Sequence, residues 1–190
     1  MDIGGYVMLG LLVLIALYAV LIYNNLVQLK HAVSKAWSNI EVLLKQRHDE
    51  LPKLVEVCRQ YMAYEKETLD RVMRARGSVA RAQQQGDLAS LGRAEDGLRA
   101  GLGQLFAVAE AYPELKADGR FQHLESRISG LENAIADRRE FYNECVNRNN
   151  VRIEQFPDLV VAHLLRFGPF QLLDFPAHQT RDPDIRALFG

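Results

Sequence analysis

The sequence predicts an all-α protein: an N-terminal transmembrane helix followed by a long antiparallel four-helix bundle. Three observations carry this. An uncharged apolar run occupies the N-terminus. From Leu26 onward, apolar residues recur every third or fourth position. No segment alternates with the period of two that a half-buried strand requires. The expected organisation is an anchor over residues 1–27, a bundle over 28–157 and an amphipathic or irregular tail over 158–190.

After Asp2 the next charged residue is Lys30, and between them Tyr6 to Tyr23 form an apolar stretch of 18 residues. As a helix at about 1.5 Å per residue this covers roughly 26 Å, and the uncharged flanks extend it to bilayer thickness. Hydrocarbon offers no partner to backbone N–H and C=O groups, so the span must be helical. Tyr6 and Tyr23 bracket it as interfacial aromatics do. A core helix would carry a polar face, and this run has none. A cleaved signal peptide would have a basic start and a small-residue cleavage site, whereas only Asp2 precedes the run and Leu21-Ile-Tyr-Asn-Asn25 follows. The run therefore reads as a retained, single-pass anchor. Lys30, Lys35, Lys45 and Arg47 all lie on its C-terminal side, which places the N-terminus outside and the bundle in the cytoplasm.

The bundle follows in four helices. Leu26, Leu29, Val33, Trp37, Ile40 and Leu44 form one amphipathic helix continuous with the anchor. It is expected to stop near Asp49, because Pro52 disfavours helical geometry at Leu51 and can open a second helix. Helix two carries Leu54, Val55, Cys58, Tyr61, Leu69 and Val72 and fades at Gln83-Gln-Gln-Gly86. Asp87 is the expected N-cap of helix three. That helix holds Gly92, Gly97, Gly101 and Gly103, each costing up to about 1 kcal/mol relative to Ala, which is sensible where a neighbouring helix approaches closely. Ala111-Tyr-Pro113 ends it. Helix four runs from about Asp118 or Phe121 to Gln155, and Phe156-Pro157 stops it. Trp37 lies about 21 Å along the helix from Tyr23, too far for an interfacial anchor, and is expected in the core.

The chemistry of catalysis is not evident. None of His31, His48, His123, His163 and His178 sits in a His-Glu-x-x-His or Glu-x-x-His pattern. Cys58 and Cys145 have no Cys-x-x-Cys partner and read as small hydrophobes. The glycines of helix three follow no strand, so they form no phosphate loop, and there is no Gly-x-Ser-x-Gly elbow. No catalytic residue, cofactor or metal is expected. With 23 Lys+Arg against 24 Asp+Glu, a globally basic nucleic-acid binder is excluded. Arg47, His48 and Asp49 are the densest ionisable cluster. They are expected at the turn between helices one and two, as capping and surface pairing or as a partner site. Tyr142, Asn143, Glu132 and Asn133 are expected to tie helix four to its neighbours.

In an up-and-down bundle, helices two and four return toward the bilayer. Arg74 and Arg81 near the end of helix two, and Arg148 and Arg152 near the end of helix four, are therefore candidate membrane-proximal or partner contacts. So are Leu159, Leu164, Phe167 and Phe170 of the tail, whose apolar residues continue to Phe175 beside Arg166; the alternative is a tail that folds back over the bundle end, with the arginines on a solvated face near Asp70, Glu154 and Asp158.

The ordered series of segments resembles the LemA family of bacterial membrane proteins. It runs through Tyr23-Asn-x-Leu-Val27, Ala36-Trp37-Ser-x-Ile40, Leu44-Lys-x-Arg-His48-Asp49 and Leu51-Pro52-x-Leu54-Val55. Glu65-Lys-Glu67 and Ala75-Arg76 continue it, followed by Tyr112-Pro113-x-Leu115-Lys116-Ala117, Glu132-Asn133, Arg138-Arg139 and Tyr142-Asn143. The likeness covers roughly residues 20–157. Ala134 stands where the family usually has Arg, Asn149-Asn150 stands where a second Tyr-Asn is usual, and the tail beyond Pro157 matches loosely. The resemblance implies an inner-membrane anchor, a helical bundle and no established enzymatic activity. The expected role is a structural or protein-interaction scaffold. It has the lipid bilayer and a membrane or cytoplasmic protein as partners, and helix packing of the coiled-coil kind permits a homo-oligomer. A sensory bundle, or an accessory subunit in membrane-protein quality control, is the alternative. A polar ligand pocket inside the bundle would favour the sensor.

Overall fold

The computed structural model describes residues 3–173. Within them the chain is all helical: α1 (Ile3–Tyr61), α2 (Lys66–Gln85), α3 (Leu88–Ala109), α4 (Pro113–Ala117), α5 (Gly119–Glu154) and α6 (Asp158–Leu164). Phe175 and the rest of the predicted tail lie outside the described residues. The chain divides into two compact units. One takes the described parts of Met1–Ile40 and Arg138–Leu172. The other takes those of Glu41–Asp137 and Leu173–Gly190.

The second unit is a helical bundle. Its core is built on spacings of three and four: Leu51, Leu54 and Cys58 on α1; Leu69 and Val72 on α2; Leu91, Leu98, Leu102 and Leu105 on α3; Phe121, Ile128 and Ile135 on α5. Each fully buried Leu or Ile contributes about 1.5–3 kcal/mol relative to an exposed one. The joins are short, so sequential helices run antiparallel. Asp87 caps α3 as expected, its carboxylate accepting from the Ser90 N–H at 3.1 Å. Gly86 ends α2 at φ 67°, a left-handed conformation that glycine adopts without a Cβ penalty. Of the helix-three glycines, Gly101 lies against α2, where a Cβ would make an ordinary contact 3.6 Å from Val72 Cγ2, and Gly97 and Gly103 face open space, so none of these three is required to be glycine by a close approach.

One boundary differs from the sequence expectation. α1 does not stop at Asp49; it continues through Pro52 to Tyr61, and the hairpin turn falls at Met62–Glu65. Helix two is correspondingly short. At 20 residues α2 covers about 30 Å, less than the stretch of α1 between Leu26 and Tyr61. The physical reason is a side chain of α2, Arg76, which bonds the backbone carbonyl that Pro52 leaves without a donor. A further difference is α4, a single turn opened by Pro113 at its first position, which sequence periodicity is too short to reveal.

The first unit combines the N-terminal part of α1, the end of α5, α6 and a non-helical strap over 165–172. Residues of the apolar run are exposed along α1, Leu14 at 65%, until Ile22 and Leu26 become buried against Ile153 and Ala162, with Val161 and Phe167 packed on the same cluster. Tyr23 meets Phe167 edge to face, ring centroids 6.0 Å apart. Further along, Trp37 packs against Tyr142 with ring centroids 5.6 Å apart, half-buried where the sequence predicted a core position.

Candidate functional site

Residues 47–49 are not one cluster. They stand mid-helix, where successive side chains point about 100° apart. Arg47 turns inward, His48 toward α2, and Asp49 is exposed. The expectation of a surface cluster at a turn is corrected by this geometry.

Arg47 is 1% exposed and lies between two carboxylates: it donates Nη2 to Glu95 on α3 and Nη1 to Glu132 on α5, the latter at 2.5 Å. Arg99 approaches Glu132 from the rim at 3.5 Å. Burial lowers the Arg47 pKa, but Glu95 and Glu132 outweigh it and raise it above the ordinary value. Burial pushes the Glu95 carboxyl upward, with Arg47 opposing. Two cations and two anions thus close on each other in the bundle. Sequence reasoning missed Glu95, yet a signal was present. Glu95 continues the Leu91, Leu98, Leu102 stripe, as Arg47 continues Leu44, Leu51 and Leu54, so both are charged residues at core positions.

The proline in α1 explains the second lock. Pro52 has no N–H, so the carbonyl of His48, four residues earlier, loses its helical donor. Arg76 of α2 supplies one: its Nε donates to the His48 carbonyl at 2.9 Å. The same guanidinium lies 2.6 Å from His48 Nε2, and because guanidinium only donates, that ring nitrogen accepts and the proton sits on Nδ1. Burial and then the Arg76 charge lower the His48 pKa, keeping the ring neutral. α1 can therefore pass through a proline without an orphaned carbonyl.

In the same unit, Tyr61 donates to Asp118 at 2.9 Å and Tyr112 to Glu65 at 3.4 Å, tying the hairpin turn and the α4 connection. A hydrogen bond from Arg120 holds the Asp118 carboxyl well below the usual carboxylate range. Cys58 is buried and free, its thiol pushed up to about 12 by burial; burial raises Cys145 too. Neither is poised as a nucleophile. Among the described residues no cluster of His, Cys, Asp or Glu could hold a metal ion.

The other unit carries a collar beside the end of the apolar run. α6 turns out of its helix at Arg166 (φ 57°), and the strap returns along α5. Asn150 clamps it at both backbone groups of Phe170, donating Nδ2 to the carbonyl and accepting the N–H at Oδ1, each at 2.9 Å. The Tyr142 hydroxyl donates to the Gln171 carbonyl at 2.9 Å. The collar encloses a cleft of about 450 Å³ lined by Tyr23, Lys30, His31, Asn149, Arg166 and Phe167, among others.

The predicted residues distribute unevenly around it. Phe167 and Phe170 belong to the strap, and Leu159 and Leu164 are exposed on α6. Arg152 is paired with Asp158, and Arg148 with Glu144 at 2.5 Å. Arg74 and Arg81 are exposed on α2, in the other unit. Tyr6 is exposed at the start of the run. Sequence reasoning passed over Lys30, His31 and Arg166 as a set. They are far apart in the chain, and no local pattern joins them.

An all-α bundle whose leading helix exposes an unbroken apolar run defines the class: a membrane-associated helical-bundle protein. The chain belongs to the LemA family, whose profile matches residues 36–186. The match extends the family likeness through most of the tail, which the residue-by-residue resemblance took only to 157. Among curated proteins the chain is similar to magnetosome proteins MamQ 1 and MamQ 2 of Paramagnetospirillum magneticum. Each is 26% identical over 192 residues, covering 87% of this chain and 70% of the relative. It is also 24% identical to the magnetosome protein MamQ of Magnetospirillum gryphiswaldense, across 71% of this chain and 58% of that protein.

Proposed function

We propose that this protein is a non-enzymatic, single-pass scaffold of the bacterial inner membrane, with its N-terminus outside and its bundle presented to protein partners in the cytoplasm. The observation that carries this is the continuity of α1. One helix begins as an apolar run with no polar face and passes without a break into the bundle. Water is a poor solvent for such a run, and a bilayer is the solvent that satisfies it. The basic residues past Tyr23 support the orientation.

The interior of the bundle supports a scaffold over a sensor. The charged groups that converge there, Arg47 and Arg99 with Glu95 and Glu132, pair with one another among buried apolar side chains. Recognition then falls to the long outer helix faces, which suit helix-on-helix partners including a second copy.

Alkaline extraction of bacterial membranes tests the anchor. The full chain stays in the pellet, and a chain lacking residues 1–27 moves to the supernatant; a full chain released by alkali would refute the span. Single thiols placed at residue 4 and in the bundle, probed with an impermeant reagent in intact spheroplasts, test orientation: labelling of the bundle site alone reverses it. Crosslinking in the same membranes, read by mass spectrometry, identifies the partner.

A further inference from the structure

We propose that the collar around Tyr23 binds one anionic phospholipid of the bilayer, its phosphate held by Lys30, His31 and Arg166 and its acyl chain lying along the outer face of α6. The proposal rests on the membrane-anchored reading above and adds a specific lipid site to it.

Depth is the first argument. Ala162 of α6 packs in one cluster with Ile22 and Leu26, so α6 and the collar sit at the level where the apolar run ends. Counting along α1 from Tyr23, Lys30 and His31 lie about 10–12 Å further on. The headgroup layer extends about 5–8 Å beyond the hydrocarbon. Helical side chains lean toward the N-terminus, which here is the membrane side, and a lysine stem reaches back along apolar surface. Both residues can therefore return their polar ends to headgroup depth.

Charge is the second. Lys30, His31 and Arg166 line the cleft, and no carboxylate does. Among the described residues none of these three side chains makes an ion pair, in contrast with Arg148 and Arg152, which are neutralised by Glu144 and Asp158. The left-handed backbone at Arg166 is uncommon for a residue with a Cβ, and it is what ends α6 and brings this arginine to the cleft.

The apolar rim is the third. Val160 is 58% exposed and Leu164 77%, on the side of α6 away from Ala162. An amphipathic helix docked at the acyl boundary with its outer face bare fits hydrocarbon. Cations above an apolar face match an anionic phospholipid, whose charge and tails lie in that order.

The test uses the full chain in nanodiscs holding one copy each, with phosphatidylglycerol and phosphatidylcholine in equal amounts. Lipid retained on gentle extraction is read by native mass spectrometry. Phosphatidylglycerol is expected to be retained preferentially. Lys30→Ala or Arg166→Gly each lower the preference about fivefold, and together about 25-fold. Arg166→Gly keeps the left-handed turn comfortable, Arg166→Lys restores the preference, and Arg93→Ala, at an exposed position of α3, leaves it unchanged. Equal retention of the two lipids, or a preference indifferent to Lys30 and Arg166, overturns the proposal while the anchored reading stands. Failure of the chain to enter the discs overturns both. Competition by excess inorganic phosphate that abolishes the preference would mark a free-phosphate site instead. A preference that appears only with two copies per disc would mark the face of α6 as a self-association surface; either result rejects the lipid assignment.

Discussion

The two units differ in how many charges they bury and how many they leave outside. The unit built on Glu41–Asp137 draws charges inward: Arg47 on the α1 leucine stripe pairs with Glu95 on the α3 stripe and with Glu132. The unit built on the start of α1 and the end of α5 buries one carboxylate, Asp158, against Arg152, and is otherwise held by neutral groups, the Asn150 clamp, the Tyr142 hydroxyl and the Tyr23–Phe167 ring contact. It leaves both cations and apolar side chains facing outward. A region that completes its own interior is suited to be a rigid rod. A region that leaves cations and apolar side chains open is suited to meet something else, and the lipid site proposed above is one such use of it.

The sharpest way to break this contrast is at Arg47. Arg47→Ala strands the buried Glu95 carboxylate and leaves Glu132 only its rim partner Arg99, and is expected to cost about 3–5 kcal/mol in denaturant unfolding of the protein in detergent. Replacing Arg47 and Glu95 together by Met and Leu is expected to cost far less, because the desolvation penalty leaves with the charges. If the single variant costs no more than the double, the charges are not enclosed as described.

The proline lock comes next. Arg76→Ala orphans the His48 carbonyl and is expected to cost about 1–3 kcal/mol. In a Pro52→Ala background the restored N–H at position 52 can bond that carbonyl within the helix. The cost of Arg76→Ala should therefore shrink, and a double-mutant cycle showing simple additivity would reject the link. A local effect is expected in the other unit. Asn150→Ala removes two neutral hydrogen bonds worth about 0.5–1.5 kcal/mol each. Hydrogen exchange should rise over residues 165–172 and stay unchanged over α3.

The smallest effect is the titration of His48. Its pKa is lowered in the folded protein from an ordinary value of 6.5. Below that pH the unfolded chain takes up a proton that the folded chain refuses, so stability is full above about 6.5 and falls as pH drops toward the folded value. His48→Gln should flatten that slope in pH-dependent thermal melts; an unchanged slope would place its origin elsewhere.

Much of the architecture was legible from local signals. The apolar run, the three-and-four spacing, the Asp87 cap, the Gly86 stop and the break at Phe156-Pro157 each act within a few residues, where sequence distance is spatial distance. Pro52 misled because its local preference is to end a helix, and the compensation comes from Arg76, 24 positions later. The buried ion network was half legible: Arg47 and Glu95 occupy stripe positions that apolar residues normally fill. Reading them as a pair required knowing that α1, α3 and α5 converge.

The sequence by itself determined that this is a helical protein with a bilayer-compatible leader, because periodicity and hydropathy are properties of short segments. Only the tertiary structure decided which charges are neutralised inside the protein and which remain available. Arg148 and Arg152, candidate membrane-proximal or partner contacts in the sequence, are paired with Glu144 and Asp158; Lys30, His31 and Arg166, far apart in the sequence, line one cleft. The physical reason is that a charge is neutralised by whatever lies within a few ångströms, and those neighbours are chosen by packing between helices distant in the chain.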